Sequence, residues 1–291
     1  MNDEIFTHYR DAGILAAKIL RDGARDIRVG GSYLELVETV ESRVMDEGAD
    51  LAFPLNVSLN EDAAHDTAST GDERVFANGD VVKLDLGVQI DGYIADTATT
   101  VDLGDNPLLV EASREALEAA IKKVRPGVTA GELGVAIQHE IESRGFHPVA
   151  NLTGHGLDQY IIHQAPTIPN VGITGGAVIK EGMVFAIEPF ASTGSGRVGE
   201  RTRVEIYSQI GIKPVRIPSA RQLLEKVRSR RGLPFARRWM QNKKMDLAIA
   251  GLVRSQVLWG YPVLSDIAGC RVSQHEHTLI VTEDGCIVTT R

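Results

Sequence analysis

Cysteine is scarce in this chain, and long apolar runs are missing. Two cysteines, Cys270 and Cys286, occur in 291 residues, too few for a disulfide framework or a cysteine-based zinc site. Both stand in apolar surroundings, which predicts buried and unreactive thiols. There is no run of about 18 apolar residues that could span a membrane. The start MNDEIFTHYR has no basic segment followed by an apolar core, so we expect no signal peptide and a cytoplasmic protein.

Net positive charge is also missing, since the formal charge is −8 at pH 7. This argues against a general nucleic-acid binder. One segment departs from the average: residues 213–254 hold twelve Lys or Arg against two acids, a local charge of +10 that leaves −18 for the rest of the chain. Apolar clusters in this segment are spaced as in helices. We interpret it as a helical insert with a solvated basic face.

The stretch 81–101 predicts a β-hairpin, because Asp91 and Gly92 tolerate the positive φ of a two-residue turn. Asp85 and Asp96 then emerge on one face as diagonal neighbours, with Cα atoms about 7 to 8 Å apart. Carboxylates buried among apolar residues need a charge partner, a proton or a metal. The alternative is a half-exposed hairpin whose acids face solvent. This turn fixes the pairs Ile90–Tyr93, Gly87–Asp96 and Asp85–Ala98.

Helical periodicity recurs in both parts of the chain. Ser32 with Glu35, and Thr129 with Glu132, have the spacing of capping boxes at helix starts. A capped helix, then Glu-Ser-Arg, then a strand occurs after Ser32 and again about 100 residues later, which suggests two similar αβ halves facing each other. The predicted helices cover about 5–25, 32–48, 107–124 and 129–144.

Two further acids lie in apolar, strand-like segments. Residues 182–191 predict one buried strand that carries Glu188, and residues 271–281 predict the first strand of a closing hairpin that carries Glu276. His155 stands in a glycine-lined loop. Each of these has an ordinary explanation by itself, as an edge-strand acid or a loop histidine.

Together with the hairpin acids they give four carboxylates and one imidazole. Such a set suits a pair of divalent ions such as Mn²⁺, Fe²⁺, Co²⁺ or Zn²⁺. Two ions about 3.5 to 4 Å apart acidify a shared water, so the set indicates metal-assisted hydrolysis. His65 and His163, outside the ligand set, are then free to hydrogen-bond a substrate carbonyl or to move protons. The alternative for either is a surface loop histidine.

Five segments carry a resemblance to one known family over nearly the whole chain: FPLNVSLNEDAAH, VKLDLGVQIDGYIADTATTV, GHGLDQYIIHQAPTIPN, EGMVFAIEPF and SQHEHTLIV. That family is the methionine aminopeptidases of the second type. The resemblance implies an α+β fold of the pita-bread kind, with two pseudo-symmetric αβ halves around a curved antiparallel sheet and a helical insert. It places the catalytic domain at 1–200 and 258–291 and the basic insert at about 201–257. Among the forms of this family, the chain resembles the short archaeal one.

The resemblance also implies roles for individual residues. Asp85 matches the family's chelating aspartate, Asp96 and Glu276 match bridging carboxylates, and His155 with Glu188 matches the ligands of the other ion. Glu188 also counts among the implied catalytic residues, together with His65 and His163. His65 matches the family's histidine near the scissile bond, which fumagillin-type inhibitors alkylate. His163 matches the histidine that contacts the substrate carbonyl. The positions that match the methionine pocket are Phe53, Pro54, Ile162 and Tyr261.

The resemblance implies an enzyme that removes the initiator methionine from nascent proteins when the second residue is small. Dimetal-activated water would attack the peptide carbonyl. A prolidase or aminopeptidase P uses a similar metal set, but the apolar pocket positions favour methionine. A non-catalytic binding module is the third reading, which the complete ligand set opposes. The basic insert would contact the ribosome or its RNA transiently, or be merely solvated, and the absence of heptads favours a monomer.

Overall fold

The computed structural model describes residues 1–240 and 243–291 and combines helices with antiparallel sheets, as an α+β fold. Within that part of the chain, none of the helices joins the length to the apolar character that crossing a bilayer requires. The helices are α1 Asp3–Asp26, α2 Tyr33–Asp46, α3 Pro107–Ile121, α4 Ala130–Ser143, α5 Pro218–Val227 and α6 Lys243–Arg254. The strands are β1 Asp50–Leu51, β2 Asn56–Leu59, β3 Asp62–Ala64, β4 Val81–Ile90, β5 Tyr93–Asp102, β6 His147–Pro148, β7 Thr153–Asp158, β8 Ile161–Pro169, β9 Val184–Ile187, β10 Phe190–Ser192, β11 Gly199–Gln209, β12 Phe235–Ala236, β13 Leu258–Ser265, β14 Val272–Gln274, β15 His277–Val281 and β16 Cys286–Val288.

Each half of the chain packs a helix pair on an antiparallel sheet, as the repeated order predicts. In the first half α1 and α2 share a buried core with β4, in which Ala16, Val40 and Leu84 are fully buried. In the second half α3 and α4 share a core with β9 and β15. Thr129 forms the full predicted capping box, whereas the Ser32 hydroxyl accepts a hydrogen bond from the backbone of Glu35 without the reciprocal bond.

The predicted hairpin is confirmed in its turn and in its register. β4 and β5 pair from Ile90–Tyr93 outward, with Gly87 opposite Asp96. Asp91 and Gly92 have φ values of 50° and 86°, the left-handed region that this turn requires. The hairpin therefore presents the carboxylates of β4 and β5 on one face.

A seam between the halves joins β5 to the closing segment of the chain. Ala98 and Glu276 exchange backbone hydrogen bonds of 3.0 and 3.3 Å. The Thr278 hydroxyl accepts from the Asp96 amide and donates to the Asp96 carbonyl, both at 2.8 Å. These bonds fix the backbones of Asp96 and Glu276 beside each other.

Two strands that the sequence predicts as continuous are broken, so that prediction is wrong in both places. Residues 182–191 form β9 and β10, with Glu188 and Pro189 between them. Residues 271–281 form β14 and β15, with Glu276 at the break. Pro189 has no amide hydrogen to continue a ladder, and the backbone of Glu276 pairs with β5 instead. Each acid thus sits where its strand is interrupted.

The two thiols differ in their surroundings, and neither is bonded to the other. Cys270 is buried, with its sulfur 3.9 Å from the Ser192 hydroxyl. Cys286 is only half-buried, contrary to the prediction, because β16 is an edge strand. Burial raises the pKa of both thiols, which fits the expected low reactivity.

The segment predicted as an insert is connected to the rest of the fold through the paired strands β11 and β13. Its helices α5 and α6 share a small core around Leu223, Phe235 and Ile249. Residues 241 and 242 of the predicted insert lie outside the described residues. The domain boundaries at 201 and 257 stay a prediction.

The basic residues of the insert are not all solvated, which corrects the interpretation from sequence. Arg238 is 4% exposed and pairs with Glu41 of α2. Arg230 donates to the carbonyls of Leu51 and Ala52 at 2.9 and 3.0 Å. These cations attach the insert to the first half. The exposed cations on its outer side include Lys213, Arg216, Arg221, Lys226 and Arg254.

Candidate metal centre

One cavity of about 460 Å³ collects nearly every residue that the sequence singles out. Pro54 is the exception, since it lies buried behind the wall and its carbonyl accepts a hydrogen bond from Asn56. The predicted residues in the wall are Phe53, His65, Asp85, Asp96, His155, Ile162, His163, Glu188, Tyr261 and Glu276.

The four carboxylates reach the cavity from three places in the fold. Asp85 and Asp96 come from the β4–β5 hairpin. Glu276 comes from the break before β15. Glu188 comes from the break before β10, where the side chain of Asn170 donates to its carbonyl at 3.3 Å.

An imidazole completes the cluster from β7. His155 Nε2 lies 3.5 Å from Glu188 Oε1 and 3.8 Å from Asp96 Oδ2. One potential ligand atom each of Asp96, His155 and Glu276 lies within 4.8 Å of the other two. These distances are compatible with a shared cation.

Burial makes the ionised cluster costly without a cation. Burial raises the pKa of Asp85 to about 7. Burial, followed by the charges of neighbouring carboxylates, holds the pKa values of Asp96, Glu188 and Glu276 well above their usual range. Burial lowers the pKa of His155 to about 3, so its imidazole is neutral and available as a ligand at pH 7.

Unpartnered oxygens show that the cluster fits divalent ions. Asp85 Oδ1, Asp96 Oδ1 and Glu276 Oε1 are buried and have no hydrogen-bond partner among the described residues. Carboxylate oxygens with one imidazole are ligands that hard and borderline ions accept. The described residues could hold such ions through Asp85, Asp96, His155, Glu188 and Glu276, and this assignment stays a prediction.

The raised carboxyl pKa values predict that Mn²⁺ stabilises the protein more as pH rises from 6 to 8. The ion-free folded protein keeps protons that the unfolded chain loses near pH 4, so its free energy of unfolding falls as pH rises. A bound ion replaces those protons, so the free energy of unfolding of the ion-loaded protein does not fall in this way. Groups remote from the cavity titrate alike in both forms and cancel in the difference.

Thermal unfolding in chelator and in excess Mn²⁺, across this pH range, measures the effect. We expect the difference between the two melting temperatures to widen with each step in pH. Sodium chloride at the same ionic strength serves as the control, because a monovalent ion does not replace a divalent one at such a cluster. A difference that is constant or narrows with pH would contradict the prediction.

The two remaining histidines flank the cluster. His65 Nδ1 lies 3.2 Å from the Pro262 carbonyl, and its ring centre lies 5.5 Å from that of Tyr261. The ring of His163 stands edge-on to His155 at 4.4 Å between centres. Burial lowers the pKa of His65 to about 4. Both therefore border the cavity instead of a remote surface, while their roles stay predictions.

Apolar side chains also line the cavity, and the sequence predicts only some of them. Phe53, Ile162 and Tyr261 are in the wall as predicted, but Ile206 of β11 and Pro234 of the insert also line it. No local motif marks these two residues, because they reach the cavity only through the pairing of β11 and the folding of the insert. Asn56 also lines the cavity and was not predicted from the sequence.

Comparisons with known proteins identify relatives of the whole chain. Residues 7–283 match the metallopeptidase family M24. The chain is 50% identical to a methionine aminopeptidase of Archaeoglobus fulgidus over 292 residues, which cover all of both chains. It is 27% identical to the crystal structure of a methionine aminopeptidase from Thermotoga maritima, with a TM-score of 0.74 over 100% of this chain and 98% of that one.

A second solved structure, of a thermophilic Arx1, has a TM-score of 0.89 at 18% identity and covers 99% of this chain and 91% of that one. This likeness concerns the fold alone. The structural neighbours confirm the predicted α+β pita-bread fold.

Proposed function

The chain belongs to metallopeptidase family M24, and from this premise we propose that it removes the N-terminal methionine from new proteins whose second residue is small. The enzyme is thus a metal-dependent hydrolase. The observation that carries the proposal is the convergence of four carboxylates and His155 with apolar side chains in one cavity. The 50% identity to a methionine aminopeptidase supports the choice of substrate.

We assign some residues of the cavity to substrate binding and others to the reaction itself. Phe53, Ile162 and Tyr261 offer apolar surface to a thioether side chain, as ligand pockets generally do. Two divalent ions, Co²⁺, Mn²⁺, Fe²⁺ or Zn²⁺, would supply a nucleophilic water and charge stabilisation when bound. His65 and His163, which line the same cavity, would hydrogen-bond the substrate carbonyl and move a proton.

Release of methionine from a short peptide tests the proposal. Protein purified without added ions, with its metal content measured, should release methionine from Met-Ala-Ser in a metal-dependent way. Met-Gly-Met-Met should be cleaved as well, and an X-Pro peptide should be cleaved far more slowly. Preferential cleavage of the X-Pro peptide would favour a prolidase, and no cleavage of any peptide with any of the four ions would refute the proposal.

The proposal includes where the substrates are met. Nascent chains appear at the ribosome, so a cytoplasmic monomer would find them there. The exposed cations Arg216, Arg221 and Lys226 could attract ribosomal RNA, since contacts to phosphate are electrostatic. Co-sedimentation with ribosomes at two salt concentrations, with these three residues changed to Gln as the comparison, tests the contact. Absent or salt-insensitive binding would reject it.

A further inference from the structure

Asn56 has the position of a residue that meets the substrate. It opens β2 directly opposite Asp85 of β4, so the two side chains lie on the same face of the sheet, with Cα atoms about 4.5 to 5.5 Å apart. Asn56 is 5% exposed and lines the same cavity as Asp85 and Phe53. It is a neutral polar group beside a predicted ligand, and the family resemblance assigns it no role.

The orientation of its amide group is fixed by the chain itself. Asn56 Nδ2 donates a hydrogen bond of 2.8 Å to the Pro54 carbonyl. Because a carbonyl only accepts, the nitrogen must face Pro54, which leaves Oδ1 facing away. Asn56 Oδ1 is buried and has no partner among the described residues. A buried acceptor without a partner is costly, so the cavity's occupant should bring a donor to it.

The substrate carries such a donor. The neighbouring carboxylates, once ionised around a cation, can only accept hydrogen bonds. The N-terminal amine of a peptide brings N–H groups, and it is separated from the bond to be cut by a single residue. Resting on the function proposed above, we propose that Asn56 Oδ1 accepts a hydrogen bond from the substrate's free N-terminal amine.

This assignment makes Asn56 a specificity-determining residue. A chain without a free amine, or with an acetylated one, would leave Oδ1 unpaired or crowd it, and sites built to hydrogen-bond a polar group reject ligands that lack it. Asn56 thereby helps to restrict the enzyme to the first residue of a peptide. The competing role for Oδ1 is that of an additional metal ligand.

A pair of product-like inhibitors isolates the amine contact. L-Methionine and its deaminated analogue 4-(methylthio)butanoate differ in the amine that Asn56 is proposed to bind. The two inhibition constants are measured against Met-Ala-Ser for the Mn²⁺-loaded wild type and for Asn56→Leu, which keeps the size and removes the oxygen. Calorimetric titration of Mn²⁺ into both ion-free proteins gives a second readout. The control is Ser58→Ala, because Ser58 is on the same strand, buried and unpartnered, but outside the cavity wall.

We expect Asn56→Leu to raise the inhibition constant of methionine about ten-fold, or about 1.4 kcal/mol. The inhibition constant of the analogue and the Mn²⁺ affinity should stay within two-fold of the wild-type values. Ser58→Ala should change none of the three. Equal weakening of both inhibitors, or of neither, would overturn the proposal, and a fall in Mn²⁺ affinity would assign Oδ1 to the metal instead. Turnover of Met-Ala-Ser by the wild type is measured first, so failure of the proposed function is seen separately.

Discussion

Replacing Glu276 with Gln is expected to lower kcat for methionine release from Met-Ala-Ser by about 10³-fold, the scale on which a buried group that stabilises transition-state charge acts. Glu276 Oε1 is buried and has no hydrogen-bond partner in the described part of the chain, whereas Oε2 accepts a hydrogen bond of 3.2 Å from Gln274. An amide removes the negative charge that would bridge the ions. Its nitrogen must also meet either the Gln274 donor or the ions, and neither contact is favourable.

The control for Glu276→Gln must be another buried acid outside the cavity. Glu205 of β11 is 7% exposed and does not line the wall, so Glu205→Gln tests the general cost of neutralising a buried carboxylate. We expect Glu205→Gln to keep most of the activity. Metal content is measured on each protein, since Glu276→Gln should also bind less Mn²⁺. A Glu276→Gln protein that retained most of its turnover would overturn the ligand assignment.

The hairpin of β4 and β5 could be predicted because its determinants are local. The turn residues Asp91 and Gly92 fix the register, and the register fixes which face each side chain occupies. The observed pairs match those expected from the sequence. The convergence of Asp85 and Asp96 thus follows from about twenty consecutive residues.

The strand breaks at Glu188 and Glu276 could not be predicted in the same way. Apolar runs around both acids read locally as continuous strands. The backbone of Glu276 instead pairs with Ala98, and Asn170 holds the carbonyl of Glu188. Ala98 belongs to the first half of the chain, so the break at Glu276 is decided by how the halves meet. The break at Glu188 has a local cause in Pro189, which lacks the amide hydrogen that a ladder needs.

The charges of the insert show the same limit. The composition of 213–254 indicates a basic helical segment, and the structure confirms helices there. Which cations are solvated depends on partners far along the chain, such as Glu41 for Arg238 and the carbonyl of Leu51 for Arg230. A local count of charge cannot distinguish a buried ion pair from a solvated face.

Arg238→Ala is expected to lower the free energy of unfolding by about 3 to 5 kcal/mol, the cost of removing one partner from a buried ion pair. Glu41, 8% exposed, would be left without its cation, while the Leu55 amide and the Trp239 indole would still donate to it at 3.1 and 2.9 Å. The Arg238 guanidinium also donates to the Thr67 hydroxyl and the Ala68 carbonyl at 2.9 and 3.2 Å. Its loss therefore weakens the attachment of the insert to the first half.

Urea unfolding of the Mn²⁺-loaded protein measures this cost. The matched control is Arg228→Ala, because Arg228 pairs with Glu225 at the surface, where the two side chains are 78% and 73% exposed, and such pairs contribute less than about 1 kcal/mol. A loss below about 1 kcal/mol for Arg238→Ala would show that the pair does not anchor the insert.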